Sequence, residues 1–192
     1  YPNIKCELFE ASINEQTQQL LNGITELGIF SVPIEHQDNF EVLFRRDEEL
    51  TAVFHKDSVF LEDGQKSVTL KDLEDVPLSL SSGCSEIVLK AFAQKSMVPR
   101  ITCTSTTRST TLEWTRVKAA VSIVPVEEGE DLGEEFVARP ISDITADVYK
   151  TVVKVKDRPL SVAAQHFLKF YSKTRNSQQV CDLDAILKSS NL

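Results

Sequence analysis

The sequence predicts a protein of the α/β class with two lobes. Along most of the chain, apolar runs typical of strands alternate with segments whose apolar residues recur at helical spacing. The clearest example is the stretch 78–92, where a short apolar run is followed by small hydroxyl residues, a glycine and a helical pattern. The length of 192 residues is enough for one large domain or for two small lobes.

The N-terminal segment predicts one β-α-β unit. Residues 4–10 alternate apolar and polar side chains, which is typical of a strand. Ser12 and Glu15 have the spacing of a capping box, so we expect a helix that starts there and stops at Gly23. Residues 27–32 form a second apolar run, which a proline ends. Such a unit implies a parallel strand pair joined by a right-handed crossover.

The middle of the chain continues the alternation. Two apolar runs, 40–44 and 50–55, are separated by a charged segment, and Thr69 is placed to cap a short helix over residues 70–73. Residues 105–111 form a hydroxyl-rich loop that leads into a helix. Three further strands are expected in this region, over residues 78–80, 101–104 and 120–124, the last of them ended by Pro125.

The turn after residues 78–80 has two interpretations. A helix that starts in the segment 81–85 leaves several backbone N–H groups unpaired at the positive end of its dipole. That arrangement suits a small anion. The alternative is that the serines of this segment cap the helix, because serine is a favoured N-cap residue.

The last third of the chain begins with an acidic loop, residues 127–135. We expect it to be a solvated surface, since it lacks the regular alternation of oxygen ligands that calcium requires. Two strands follow, over residues 136–138 and 148–155, and then an amphipathic helix over 161–171 with Ser161 as its cap.

Composition narrows the range of partners. The formal net charge of -8 disfavours nucleic acid or an anionic membrane as the main partner. No apolar run reaches the ~18 residues of a membrane-spanning helix. The three histidines are far apart and no CxxC pair occurs, so the sequence indicates no metal site, cofactor or disulfide scaffold. Cysteines without such a scaffold are typical of a reducing compartment, so a cytoplasmic setting is expected. The four cysteines are Cys6, Cys84, Cys103 and Cys181.

Several segments resemble the effector-binding domain of LysR-type transcriptional regulators. Their order and spacing carry the resemblance, rather than any single motif, and it runs nearly the whole length of the chain. The segments are residues 1–4, 9–12, 25–29, 49–57, 68–73, 77–80, 122–125, 139–141 and 158–161.

The resemblance implies a type 2 periplasmic-binding-protein fold, in which two α/β lobes are joined by two crossover strands and the effector lies between them. Lobe I would comprise residues 1–54 and 148–171, lobe II residues 55–147, and residues 172–192 a C-terminal tail with a linker and one short helix. The family normally has another strand and helix before the segment matched by residues 1–4, and a winged helix-turn-helix domain before those. We therefore expect a fragment of a longer regulator, with the first strand of lobe I missing.

The resemblance also carries over site residues, at helix starts and strand ends. In this sequence they are Ser12, Ile13, Ser31, Ser81, Ser82, Gly83, Cys84, Thr106, Arg108 and Pro125. Helix starts offer convergent N–H donors to a carboxylate, and Arg108 is either a bidentate partner for it or a solvated surface arginine. The chain departs from the family pattern where it lacks glycines, in residues 117–121, and where Glu26 replaces an aspartate.

Cys84 supports an alternative function within the same family. Peroxide-sensing members place a reactive cysteine at about this point, and a helix N-terminus lowers the pKa of a thiol. Those members keep a second cysteine where this chain has Ala93. Thiol sensing would produce a Cys84 sulfenate or a disulfide with Cys103.

The expected function is therefore that of a ligand-sensing and dimerisation domain without chemistry of its own. It would bind a small, anionic effector, form a homodimer or tetramer, and control attached DNA-binding domains. A solute-binding protein of the same fold is the alternative from another class. An enzyme is disfavoured, because the sequence shows no Ser–His–Asp set, metal cluster or phosphate-binding glycine motif.

Overall fold

The computed structural model describes residues 4–31, 37–60, 64–174 and 178–179. The chain divides into two compact units, Tyr1–Arg46 with Tyr149–Leu192, and Asp47–Val148. Both contain strands and helices, so the predicted α/β class is confirmed. The α-helices of the described part are α1 (Ile13–Leu21), α2 (Ser82–Gln94), α3 (Arg108–Arg116) and α4 (Val162–Thr174), and 3-10 helices lie at Gln37–Asn39 and at Lys71–Leu73, within the short helix predicted over residues 70–73. The strands are β1 (Gly28–Phe30), β2 (Phe40–His55), β3 (Leu78–Ser81), β4 (Ile101–Ser105), β5 (Val121–Val126), β6 (Phe136–Pro140), β7 (Val148–Val155) and β8 (Gln178–Gln179).

Strands β6, β2, β5, β3 and β4, in that order, form the sheet of the second unit. β3 pairs in parallel with both β4 and β5. The C-terminal part of β2 pairs antiparallel with β5 on one edge and with β6 on the other. Since neighbouring parallel strands end at the same edge of a sheet, the helices that follow β3 and β4 begin side by side.

One face of this sheet packs against α2 through apolar side chains. Leu78 and Leu80 of β3 belong to a buried cluster that includes Val88 and Phe92 of α2. All four side chains have no exposed surface, and each contributes about 1.5–3 kcal/mol through burial. Side chains alternate along a strand, so Ser79 points to the opposite face.

That opposite face carries hydroxyl groups, and α3 packs on it. The Ser122 hydroxyl donates to the Thr111 carbonyl at 2.8 Å and lies 2.6 Å from the Thr115 hydroxyl. The Thr115 hydroxyl also donates to the carbonyl of Val53 at 3.3 Å. Thr111, Thr115 and Ser122 are fully buried. Directional hydrogen bonds therefore fix α3 on the sheet and determine where its N-terminus lies.

The first unit places β7 between β1 and the N-terminal part of β2. Val152 and Val153, successive residues of β7, point to opposite faces of these strands. Val152 packs in a cluster with Leu168 of α4, and Val153 packs in another with Leu20 of α1. The two helices therefore cover the two faces.

Polar contacts connect the helices of the first unit to the segments beside them. The Arg158 guanidinium donates to the carbonyl oxygens of Leu20 at 2.6 Å and Leu21 at 3.0 Å, at the end of α1. The Glu26 carboxylate accepts from the N–H of Ser161 at 2.6 Å and from its hydroxyl at 2.7 Å. Glu26, where the family pattern has aspartate, thus holds the residue that precedes α4.

Two predictions for the N-terminal segment are wrong. Residues 4–10 form no strand, and Leu8 is 95% exposed. β1 pairs antiparallel with β7, so it does not form the expected parallel pair with that segment. Alternation along a sequence is not sufficient for a strand, because the backbone groups also need a neighbouring strand to pair with. The helix that follows has the predicted Ser12 cap and ends near Gly23.

The apolar runs on either side of the charged segment 45–49 belong to one strand, β2. Its charged side chains have compensating neighbours. The Arg45 guanidinium lies 3.8 Å from the centroid of the Tyr149 ring, and that of Arg46 lies 4.4 Å from the Tyr171 ring centroid. Cations over aromatic rings are attracted to them, so the strand can continue through this charged segment.

Other predicted boundaries hold within a few residues, and two of the differences are informative. β5 continues through Pro125 instead of ending before it. β3 pairs with β5 only as far as Ile123, so the missing N–H of Pro125 removes no hydrogen bond on that edge. α3 begins at Arg108, which shortens the predicted hydroxyl-rich loop.

Some predictions fall on residues that are not described. They concern residues 32 and 33, the histidine at 36, Cys181 and the tail beyond Thr174, of which only β8 is described. The boundaries predicted for the lobes stay a prediction. Within the described part of the chain, no helix is both long and apolar enough to cross a bilayer.

Candidate functional site

The junction of β3 and α2 presents a helix N-terminus without a side-chain cap. β3 ends at Ser81 and α2 begins at Ser82, with no residue between them. Ser81 is the N-cap residue, yet its side chain accepts no hydrogen bond from the backbone of the first turn. Its hydroxyl lies instead 3.1 Å from the Cys84 sulfur. The expected capping of this helix by serine side chains is therefore wrong. No side chain caps the N–H donors of the first turn, which lie at the positive end of the helix dipole.

A second helix N-terminus lies beside the first. Ser81 and Ser105 are partners in the parallel pair of β3 and β4, so both strands end at one edge. Thr106 and Thr107 follow β4, and the Thr107 hydroxyl accepts from the N–H of Thr110 at 3.3 Å, which caps α3. The exposed Ser82 side chain connects the two junctions.

The connection is a hydrogen bond between the two turns. The Ser82 hydroxyl donates to the carbonyl of Thr106 at 3.3 Å, and the side chains of both residues are exposed. Two helix starts that are held together at a surface can direct their partial positive charges at one bound group. We call this surface, formed by residues 81–84 and 106–108, the paired-turn surface.

Arg108, the first residue of α3, is engaged in an ion pair. Its Nη1 lies 3.2 Å from Oε1 and 3.3 Å from Oε2 of Glu130. The two side chains are only 24% and 15% exposed. Glu130 also accepts from the N–H of Glu127 at 3.2 Å, so its carboxylate connects the acidic loop to the start of α3. Arg108 is therefore neither a solvated surface residue nor an open partner for a ligand.

The acidic loop is less solvated than the sequence predicts. Glu127 and Glu130 are partly buried, and their carboxylates lie with that of Glu48, all within 4.8 Å of one another. Three carboxylates at this separation could be bridged by one cation, but such groupings are common without one. Ionised carboxylates this close repel one another, and the positive charge of Arg108 beside Glu130 offsets part of that repulsion.

The side chain of Cys84 lies inside the fold, so Cys84 contributes only backbone atoms to the paired-turn surface. Its side chain has no exposed surface, and its sulfur is 3.5 Å from the Ser81 carbonyl and 3.4 Å from the Ile123 carbonyl. Burial raises the pKa of the Cys84 thiol, despite its place in the first turn of a helix. A neutral, inaccessible thiol is a poor nucleophile, so this environment argues against peroxide sensing at Cys84.

The other predicted site residues belong to segments outside the two junctions, and all are buried or half-buried. Pro125 is buried within β5, opposite Leu50. The Ser12 hydroxyl, half-buried in the first unit, donates to Glu15 Oε2 at 2.7 Å and accepts from the Glu15 N–H at 3.3 Å. Ile13, the first residue of α1, is half-buried and packs against the cluster that contains Leu20, and Ser31 is half-buried just after β1.

The structure thus brings together the predicted residues of the second unit that lie at the two junctions. It adds two that the sequence did not single out, namely Thr107, which caps α3, and Glu130, which pairs with Arg108. The hydroxyl-rich sequence around Thr107 was a usable signal for a cap. Nothing in the acidic run distinguished Glu130 from its neighbours.

Residues 1–175 match the family described as LysR substrate binding domain. The effector binding domain of QuiR in complex with shikimate is 20% identical, with a TM-score of 0.66, over 88% of this chain and 82% of that one. The regulatory domain of CcmR from Synechocystis PCC6803, in complex with 2-PG, is 18% identical, with a TM-score of 0.69, over 92% and 86%. Full-length CbnR complexed with its target DNA is 21% identical, with a TM-score of 0.64, over 91% of this chain but 61% of that one. No curated protein matches the chain.

At sequence identities this low, similarity to the solved structures shows the fold alone. That similarity confirms the predicted periplasmic-binding-protein-like fold class. The family match covers most of the sequence and both compact units. Its members are transcriptional regulators rather than enzymes. The chain belongs to the LysR substrate binding domain family, the effector-binding domains of LysR-type transcriptional regulators.

Proposed function

We propose that this chain senses a small anionic effector, and that the effector binds at the paired-turn surface. The observation that carries the proposal is the helix N-terminus of α2, which has no side-chain cap and is tied to the start of α3 by the Ser82 to Thr106 hydrogen bond. Each helix start has the equivalent of about half a positive charge. Two of them, side by side, favour a carboxylate, sulfate or phosphate group.

The overall charge does not contradict an anionic ligand. The net charge of -8 repels anions at long range, but this effect is screened within about 10 Å in ordinary salt. Binding is then decided by the groups in contact with the ligand, which here are backbone N–H donors and hydroxyls. Shikimate and 2-PG, bound by the solved relatives QuiR and CcmR, make carboxylates and phosphates the first compounds to test.

Thermal unfolding in the presence of small carboxylates, phosphates and sulfate tests this proposal. A ligand that binds only the folded chain, at a hundred times its Kd, adds about 2.7 kcal/mol of stability. For a chain of this size that is a rise of roughly 5–10 °C in the midpoint. Ser82→Ala should weaken binding about fivefold, because it removes one hydrogen bond from the paired-turn surface.

Ser172→Ala is the matched control, because its hydroxyl bonds only locally within α4, to the Lys169 carbonyl at 3.0 Å. It should leave the affinity unchanged. A complete absence of midpoint shifts across the panel, or an equal loss of affinity in both serine variants, would contradict the proposed site.

The chain is further proposed to act as a module of a longer cytoplasmic regulator, without chemistry of its own. The support is the family match together with the relation to full-length CbnR, of which the chain spans 61%. DNA binding would then reside in another part of the regulator. A single-chain preparation that retards DNA in a gel at physiological salt would contradict this division.

A homodimer or tetramer is proposed from the resemblance to the family. Light scattering at increasing concentration measures it directly. A mass that stays at 21.5 kDa at the highest soluble concentration would exclude self-association of this chain.

A further inference from the structure

Arg108 stands at the edge of the paired-turn surface, but a carboxylate of the chain itself already occupies it. Both oxygens of Glu130 lie within 3.3 Å of Nη1, and neither side chain is more than a quarter exposed. An effector carboxylate would make the same kind of contact with the same guanidinium. The two therefore compete for one cation.

The surroundings of Glu130 raise the free energy of displacing it. The carboxylates of Glu48 and Glu127 lie within 4.8 Å of Glu130, and Glu48 is buried. While Arg108 is paired with Glu130, its positive charge offsets part of this repulsion. An anion that replaced Glu130 as the partner of Arg108 would leave the three carboxylates close together, with less positive charge to offset their repulsion. Water reaches this place poorly, so it would screen the repulsion little.

We propose that Glu130 is a specificity-determining residue that acts as an internal competitor for Arg108, so that only an anion able to replace its carboxylate binds tightly at the paired-turn surface. This inference rests on the proposed function, since it assumes that the effector reaches Arg108. It predicts that removing the negative charge of Glu130, while keeping its shape, strengthens anion binding.

The test uses inorganic sulfate as the probe, titrated against chloride at constant ionic strength and followed by calorimetry. Glu130→Gln should lower the Kd for sulfate by roughly three- to tenfold, because Arg108 no longer has to leave a charged partner. A tenfold change corresponds to about 1.4 kcal/mol. Glu128→Gln is the matched control, because it makes the same change of net charge on an exposed residue of the same loop. It should change the Kd by less than about twofold, as expected for a screened surface charge.

A second comparison shows whether the gain passes through Arg108. In an Arg108→Ala background, Glu130→Gln should no longer improve sulfate binding, because the contested cation is absent. An equal gain with and without Arg108 would overturn the inference, as would an unchanged or weaker affinity of Glu130→Gln. Should Glu130→Gln fail to fold, Glu130→Asp takes its place. It keeps the charge with a shorter reach, and it should give a smaller gain in affinity.

The outcomes separate the inference from the function on which it rests. If sulfate binds the wild type and Ser82→Ala weakens it, while Glu130→Gln has no effect, the paired-turn surface stands and the internal competitor is refuted. If sulfate binds neither the wild type nor Glu130→Gln, both the proposed site and the inference are refuted.

Discussion

Replacing Arg158 by alanine should destabilise the first unit by about 2 kcal/mol. The guanidinium makes two hydrogen bonds to the last carbonyls of α1, at 2.6 and 3.0 Å. Hydrogen bonds to a charged group contribute about 1.5–3 kcal/mol each when buried. The Arg158 side chain is half-buried, so water replaces part of what the substitution removes. At 2–4 °C per kcal/mol, the midpoint of thermal unfolding should fall by roughly 4–8 °C.

The assay is thermal unfolding followed by far-ultraviolet circular dichroism, with Arg100→Ala as the control. Arg100 is exposed and lies in the second unit, so its removal should leave the midpoint within about 1 °C, as surface substitutions usually do. Arg158→Lys should fall between the wild type and Arg158→Ala, because an ammonium lacks the planar fork that reaches both carbonyls. A midpoint for Arg158→Ala equal to that of Arg100→Ala would refute the role assigned to this contact.

Three further predictions follow from the packing and the charges. Leu80→Ala should lower the free energy of unfolding by about 2–5 kcal/mol, since Leu80 is fully buried under α2; a loss below 1 kcal/mol in urea unfolding would contradict that packing. A thiol reagent followed by peptide mass spectrometry should label exposed Cys6 at once and Cys84 only after unfolding; rapid labelling of Cys84 in the folded chain would restore thiol sensing. Hydrogen bonds from the Ser12 hydroxyl and then from its N–H lower the folded-state pKa of Glu15, so this carboxylate contributes stability above its unfolded pKa and loses it as pH falls through the folded pKa. The stability difference between wild type and Glu15→Gln should accordingly vanish in acid, and a difference that persists well below the folded pKa would contradict this.

Local patterns predicted the elements whose cause is local. The capping box at Ser12 starts α1, and the apolar run before Ser81 forms β3 and leads directly into α2. The eight residues of β7 were predicted at their observed limits. In each case the signal and the interaction that produces the structure lie within a few residues of each other.

Structure that depends on distant partners was predicted poorly. The alternating residues 4–10 form no strand, because no described strand pairs with them. The charged segment 45–49 continues β2, because the rings of Tyr149 and Tyr171 lie next to Arg45 and Arg46. A local sequence pattern shows neither whether a strand will pair with residues 4–10 nor which rings will lie beside Arg45 and Arg46.

The candidate site shows the same division. Serines and a glycine before a helical pattern indicated the β3–α2 junction, and that junction is present with its N–H groups free of a side-chain cap. The burial of Cys84 was not predictable, because it depends on Ile123 of the neighbouring strand. The pairing of Arg108 with Glu130 joins residues separated by the rest of α3, by β5 and by part of the acidic loop, so it appeared only in three dimensions.

The central claim is that a small anion binds the backbone N–H groups at the start of α2. Backbone amide NMR during a titration of the 15N-labelled chain with sulfate, shikimate and phosphate compounds observes those groups themselves. The proposal predicts saturable shifts that are largest for the amides of Ser82, Gly83 and Cys84, with smaller ones at Thr107 and Arg108. Saturable shifts centred on other residues, with these amides unmoved, would contradict it.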